Sequence, residues 1–111
     1  AIFSHIPGLK VVCPSNAKDA KGLLLTSISD PDPVIFFEHR WLHQNEDYYN
    51  NLFNSKEISY SNLSVLKVLN NGDHLTIFTY GYMVPEALKA VNFCKKFSIN
   101  IDLINTAIIR A

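Results

Sequence analysis

The chain has 111 residues, of which 48% are hydrophobic, and its ten basic side chains balance ten acidic ones. This length allows one well-buried core or two incomplete ones, and the zero net charge gives no summed field that would concentrate nucleic acid or anionic lipid. We therefore expect no nucleic-acid partner. The two cysteines, Cys13 and Cys94, lack the paired spacing of a zinc or redox motif, which favours a reduced, cytoplasmic setting.

Hydropathy along the chain argues against a membrane partner. No run of residues approaches the roughly 20 consecutive apolar residues that a membrane-spanning helix needs. The first residues also lack a basic region followed by a long apolar stretch. We expect neither export nor membrane insertion.

A strand followed by a helix is predicted for the start of the chain. Residues 9–13 form a β-branched run that ends at Pro14, which has no N–H to donate to a sheet. Asn16 offers an N-cap oxygen, and Asp19, three residues later, is placed for a capping-box contact at the positive helix end. Apolar residues then recur at helical spacing until residues 30–33 (DPDP) end the helix.

Residues 34–37 (VIFF) are continuously apolar rather than alternating, which is typical of a strand in a parallel sheet covered by helices on both faces. We therefore expect this strand to be buried. From residue 44 to residue 62 the chain is rich in Asn, Ser, Tyr and acidic residues and has no period that would bury one face. This segment is predicted to be a linker.

A second unit of strands and a helix is predicted after the linker. Residues 66–68 and 75–80 flank a turn signal at residues 70–73 (NNGD), in the pattern of a β-hairpin. A helix follows with Pro85 at its first position, and residues 99–103 then alternate as a strand. Strands alternating with helices indicate the α/β class, and two units too small for complete sheets indicate pieces of two larger domains.

The polar cluster of Glu38, His39 and Arg40 stands at the carboxyl end of the predicted parallel strand, where α/β sheets place ligand-binding loops. A surface ion pair explains these residues equally well. His39 and His43 are four residues apart, but zinc needs further ligands, so solvated histidines are favoured over a metal site. The glycines do not form a phosphate-binding loop, and no serine or cysteine stands in a nucleophile elbow.

Three ordered stretches of the sequence resemble one enzyme family. They are residues 5–15 (HIPGLKVVCPS), 19–24 (DAKGLL) and 32–38 (DPVIFFE). Together they resemble the β subunits of the thiamine-diphosphate-dependent pyruvate and branched-chain 2-oxoacid dehydrogenases, and weaker similarity continues from residue 72 to residue 104. The resemblance implies parts of two doubly wound, three-layer α/β domains.

The resemblance also implies a domain order and an assembly. Residues 1–43 would be the C-terminal part of a pyrimidine-binding domain, residues 44–62 the linker, and residues 63–111 the start of a transketolase C-terminal domain. Thiamine diphosphate and magnesium would lie between the first domain and a diphosphate-binding domain, so this chain alone would not bind them. The expected partners are an α subunit, a second β subunit and a lipoyl-bearing acyltransferase, which receives the acyl group of the 2-oxoacid.

No catalytic or cofactor-binding residue is carried into this chain by the resemblance. The family's activating glutamate and active-site histidine correspond to positions upstream of residue 1. The family's Asp-Leu-Arg-Thr stretch is replaced by residues 105–108 (NTAI), which leaves the subfamily open. A relative of transketolase or of 1-deoxyxylulose-5-phosphate synthase and a noncatalytic α/β assembly module stay as alternatives.

The resemblance implies one metal site, a structural potassium site at the end of the first helix. Its ligands would be the carbonyl oxygens of Ser27 and Ile28, the Asp30 side chain and an oxygen of Asp32. The last carbonyl groups of a helix lack internal partners and carry partial negative charge, so they suit a hard cation. An ordinary helix stop at Pro31 explains the same residues nearly as well.

Overall fold

The chain forms two small sheets with one helix beside each. The structure is a computed structural model that describes residues 1–44, 62–63 and 66–110. The elements in chain order are β1 (Lys10–Val12), α1 (Ala17–Ser29), β2 (Val34–Phe36), a 3-10 helix (Arg40–Gln44), β3 (Lys67–Asn70), β4 (Leu75–Thr79), α2 (Met83–Lys95), β5 (Ile101–Asn105) and β6 (Ile108–Arg110). This alternation confirms the α/β class. In the part of the chain that the structure describes, the helices lack the length and hydropathy of a membrane span.

The helix α1 begins and ends where its local chemistry predicts. The Oδ1 atom of Asn16 accepts a hydrogen bond of 2.8 Å from the backbone N–H of Asp19, and Asn16 Nδ2 donates to Asp19 Oδ2 at 2.7 Å. Both residues are buried, so the cap is shielded from water. At the other end, the helix stops at Ser29 and Asp30 has extended backbone angles.

The first sheet has the order β2-β1-β6, with β1 parallel to β2 and antiparallel to β6. Its central residues Val11 and Val12 are only 1% and 0% exposed. The prediction of a parallel strand at residues 34–37 is confirmed, but the prediction of its burial is wrong. The three residues of β2 are half-buried because β2 lies at the edge of the sheet that the described residues form.

The second sheet has the order β3-β5-β4, with β5 antiparallel to β3 and parallel to β4. The elements β4, α2 and β5 therefore form the predicted strand–helix–strand unit. The predicted hairpin is wrong, since β5 lies between the two strands that the NNGD turn joins. Apolar side chains of α2 and the sheet form one core around Val91, Ile101 and Leu103.

The NNGD turn crosses over the start of β5 instead of closing a hairpin. Asn70 Nδ2 donates to the carbonyl oxygen of Ile101 at 2.6 Å, and the N–H of Gly72 donates to Asp102 Oδ1 at 3.3 Å. A Cβ atom on Gly72 would lie 2.4 Å from the Ile101 carbonyl carbon. Glycine is required at this position because two backbones approach each other closely. A hairpin turn has the same sequence signal, so the sequence does not distinguish this crossing from the closure of a hairpin.

The two sheets meet along a contact region that we call the seam, formed by Cys13, Ser15 and Asp19 on one side and Lys67, Asn105 and Ala107 on the other. The N–H of Cys13 donates to the Ala107 carbonyl oxygen at 2.7 Å, and Asn105 Nδ2 donates to Ser15 Oγ at 2.9 Å. Ala107 also packs in the core of the first sheet with Val12. Residues 45–61, most of the predicted linker, lie outside the described residues, so the division into two domains stays a prediction.

Gly81 offers a direct test of the packing beside the seam. Its φ angle is +57°, and a Cβ atom there would lie 3.0 Å from the Sγ atom of buried Cys13. Gly81→Ala should destabilise the fold by about 2 kcal/mol or more, since the left-handed backbone alone costs about 1–2 kcal/mol. Gly8→Ala is the matched control, because Gly8 has a φ of +78° and a Cβ atom there would meet nothing within 4 Å. Chemical denaturation measures both, and equal losses would contradict the predicted contact with Cys13.

Candidate functional site

A cavity of about 340 Å³ opens at the carboxyl ends of β1 and β2 and beside the first turn of α1. Its lining includes Pro14, Asn16, Ala17, Glu38, His39 and His43. This is the edge of the sheet where α/β proteins bind ligands, because strand ends and helix N-termini meet there. The cavity is therefore the candidate functional site, and the sequence prediction pointed to its Glu38 and His39 but not to its walls on α1.

The cavity is lined by one carboxylic side chain, Glu38, and by two imidazole rings, His39 and His43. Glu38 Oε2 lies 3.5 Å from His43 Nε2, and both side chains are more than half exposed. Such a pair is screened by water and gives the fold little stability. Apolar residues of the lining include Ala17 and Leu42. This arrangement can bind and orient a mostly apolar group with one polar end.

Aromatic rings extend the rim of the cavity toward the second half of the chain. The His39 ring stacks on Tyr82 with centroids 5.0 Å apart and planes at 18°, and Trp41 meets the same ring edge-on at 5.6 Å. Arg40 is exposed at the start of the 3-10 helix. The predicted cluster of Glu38, His39 and Arg40 is thus divided, since the first two line the cavity and His39 is held by an aromatic stack.

The two cysteines lie in different apolar surroundings. Cys13 is buried, and this burial raises the pKa of its thiol and keeps it protonated. Cys94 packs against the apolar core of the second sheet. The burial of Cys13 gives a physical reason for an unreactive thiol there, and the absence of an activated thiol at Cys94 stays a prediction.

The predicted cation ligands lie around a lysine that the sequence prediction overlooked. Lys10 Nζ is 2.8 Å from both carboxylate oxygens of Asp30 and 3.1 Å from Asp32 Oδ2. The Ser27 carbonyl oxygen accepts a 3.4 Å hydrogen bond from the Asp30 N–H, and Ile28 is 74% exposed. Within the described residues, no group of three or more His, Cys, Asp or Glu side chains could hold a metal ion. The potassium site stays a prediction, and an ammonium group already contacts both of its carboxylates.

The parallel pairing of β1 with β2 accounts for this ion cluster. Lys10 is the first residue of β1 and pairs with Val34 at the start of β2, directly after the loop that carries Asp30 and Asp32. The Lys10 ammonium lowers the pKa of the Asp30 carboxyl, mainly through its hydrogen bond, and the Asp32 N–H adds to this effect. In return, the hydrogen bonds to Asp30 and Asp32 raise the pKa of Lys10.

Comparison with known proteins identifies relatives of the whole chain. Residues 1–46 match the family described as the transketolase pyrimidine binding domain. The chain is 40% identical over 111 residues to the pyruvate dehydrogenase E1 component subunit beta of Rickettsia bellii, and the match covers 99% of this chain and 32% of that protein. The chain thus spans about a third of the length of this relative.

Two further relatives and a solved structure agree with this match. Identity is 40% over 105 residues to the acetoin:2,6-dichlorophenolindophenol oxidoreductase subunit beta of Cupriavidus necator, covering 94% of this chain and 29% of that one. The chain is 37% identical to the mitochondrial 2-oxoisovalerate dehydrogenase subunit beta 2 of Arabidopsis thaliana, and the match covers 95% of this chain and 28% of that protein. The solved structure of a split gene transketolase, described as an inactive beta4 tetramer, superposes on this chain with a TM-score of 0.73 and 19% sequence identity. The superposition covers 96% of this chain and 33% of the transketolase chain. That structure supports the fold alone.

The Lys10–Asp30 pair predicts a defined pH dependence of stability. Because the pKa of Asp30 is lower in the folded chain, its contribution is present above the unfolded value of about 3.9 and is lost as the pH falls through the folded value. Asp30→Asn should therefore lower the melting temperature at neutral pH, and the difference from wild type should shrink below about pH 4. Asp73→Asn, at a 78% exposed side chain, is the control with little effect. A difference that is constant across the acid range would contradict the pairing.

Proposed function

We propose that the chain forms part of an enzyme that decarboxylates a 2-oxoacid with thiamine diphosphate. The chain belongs to the family of 2-oxoacid dehydrogenase β subunits, and its residues 1–46 match the transketolase-type pyrimidine-binding domain. The acyl group would then pass to a lipoyl carrier. The observation that carries this proposal is 40% identity over 99% of the chain to a pyruvate dehydrogenase β subunit.

The described residues could provide only part of a thiamine diphosphate site. The cavity beside Glu38 offers apolar walls and one carboxylate, which suits an aromatic ring with a polar edge. Magnesium bound with a diphosphate takes oxygen ligands from one or two carboxylates, from the phosphates and from water. The family resemblance would place the diphosphate and magnesium on another domain or chain, and no catalytic step is assigned to a residue here.

The proposed partners are an α subunit, a second β subunit and a lipoyl-bearing acyltransferase. Support for a protein partner comes from the second sheet, where Val68, Ile104 and Phe78 lie side by side on β3, β5 and β4. Val68 is 53% exposed and Phe78 62% exposed, so two large apolar side chains of this row contact water. Contiguous apolar surface of this kind is typical of a protein contact.

A second substrate class has its own support. The chain is as similar to the acetoin oxidoreductase β subunit as to the pyruvate dehydrogenase β subunit, at 40% identity each. Acetoin is therefore the alternative substrate. Activity of the assembled enzyme on pyruvate, 2-oxoisovalerate and acetoin, with dichlorophenolindophenol as electron acceptor, distinguishes the two classes.

We expect the chain alone to show no tight binding of thiamine diphosphate with magnesium and no 2-oxoacid decarboxylation, because its cavity supplies only one wall of a site. The assembled enzyme, in which a β subunit carrying this sequence pairs with an α subunit, should show saturable binding and activity. Isothermal titration calorimetry measures cofactor binding, with magnesium alone as the control. Carbon dioxide release measures decarboxylation. Submicromolar cofactor binding by the isolated chain would contradict the proposal of a shared site.

The potassium site at Ser27, Ile28, Asp30 and Asp32 is proposed for the assembled protein. Replacing potassium by a larger organic cation should lower the melting temperature, and Asp30→Ala should abolish that dependence. Lys10→Met should increase it, because the ammonium that competes for both carboxylates is removed. Identical melting of wild type in both salts would show that the loop only ends the helix.

A further inference from the structure

One ring nitrogen of His74 lies within hydrogen-bond distance of two groups that it cannot bind at the same time. The backbone N–H of Asn100 donates to His74 Nδ1 at 3.2 Å. The Oδ1 atom of Asp73 lies 2.8 Å from the same ring nitrogen. An imidazole nitrogen accepts a hydrogen bond only without a proton and donates one only with a proton. The two contacts therefore belong to two different states of His74 Nδ1.

His74 joins the NNGD turn to the start of β5 through two hydrogen bonds. Its backbone N–H donates to the Asn100 carbonyl oxygen at 3.1 Å, and its ring nitrogen accepts from the Asn100 N–H. Asn100 directly precedes β5, the central strand of the second sheet. A proton on His74 Nδ1 would therefore remove one of the two bonds that hold the entry of this strand to the turn.

The charges around the His74 ring favour one partner for its protonated form. Asp102 Oδ1 accepts from a backbone N–H of the turn, and Lys95 Nζ donates to an amide oxygen of the turn. Among the described residues, the carboxylate within ion-pair distance of the ring is that of Asp73. The charged residues on the turn, on β5 and at the end of α2 are Asp73, Asp102, Lys95 and Lys96.

Solvent exposure limits this exchange of partners to a local effect. The side chain of His74 is 51% exposed and that of Asp73 is 78% exposed. Water can therefore deliver a proton to the ring and can hydrate the Asn100 N–H when it is released. An ion pair this exposed gives the whole fold little stability. The change is thus confined to the turn and the entry of β5.

We propose that His74 is a pH-sensitive switch at the start of β5. At the upper end of the pH range in which imidazoles titrate, the proton of the neutral ring is on Nε2, and Nδ1 accepts from the Asn100 N–H. As the pH falls, Nδ1 gains a proton and donates to Asp73, and the Asn100 N–H is released to water. Histidine ordinarily changes charge between about pH 5 and pH 8. The switch does not depend on the proposed activity.

Nuclear magnetic resonance of the chain between about pH 8 and about pH 5 tests the switch. Ring 15N shifts should show His74 Nδ1 without a proton at the upper end and with one at the lower end. Over the same titration the Cγ shift of Asp73 should follow the ring, and the protection of the Asn100 amide from hydrogen exchange should fall about tenfold. A His74 Nδ1 that carries a proton at both ends, or an Asn100 amide with constant protection, would overturn the proposal.

The chain offers one control residue and one informative variant. His5 Nδ1 lies 3.1 Å from the carbonyl oxygen of Ala1, which can only accept, so this ring keeps its partner in both charge states. His74→Asn should remove the pH dependence of Asn100 protection, because an amide oxygen accepts from the N–H at every pH. Persisting dependence in this variant would assign the effect to another group and contradict the proposal. If the variant does not fold, the ring 15N shifts of the wild-type chain still decide.

Discussion

The backbone pairing of β1 with β6 is the constraint on which the rest of the structure depends. A central strand needs a neighbour on each edge to pair its buried N–H and C=O groups, and β1 is central to the first sheet. One neighbour, β2, comes from nearby in the chain, but the other comes from the last described residues. The 2.7 Å hydrogen bond from Cys13 to Ala107 fixes this pairing where β1 ends. The first sheet therefore requires the second half of the chain.

The seam also fixes the position of α1 and thereby of both cavities. The buried Asn16–Asp19 cap holds the start of the helix, and Lys67 on β3 binds the same Asp19 carboxylate. Asn16, Ala17 and Ala20 line the cavity beside Glu38, whereas Asp19 and Leu23 line a second cavity of about 260 Å³ at the seam. A shift of the second sheet would therefore change the shape of both cavities. This coupling gives a physical reason why the chain can hold the cavity beside Glu38 in a fixed shape.

Local chemistry made part of the fold and of the site predictable. The Asn16 cap and the DPDP stop lie within a few residues of the helix they bound, so sequence patterns located α1 correctly. The hairpin prediction was wrong because β5, which separates β3 from β4, comes from much later in the chain and leaves no signal in the NNGD turn. Lys10 was overlooked as the partner of Asp30 because their contact, twenty residues apart, depends on the pairing of β1 with β2. The family was recognisable from three short stretches, and the comparisons confirm it.

Native-state hydrogen exchange tests the dependence of the first sheet on the second most directly. The two amides to compare are that of Cys13, at the end of β1, and that of Leu103, at the centre of β5. If the seam joins the sheets into one cooperative unit, both amides should exchange with the same free energy of opening across a denaturant series. A Cys13 amide that exchanges through a separate, lower-energy opening while Leu103 stays protected would contradict the account.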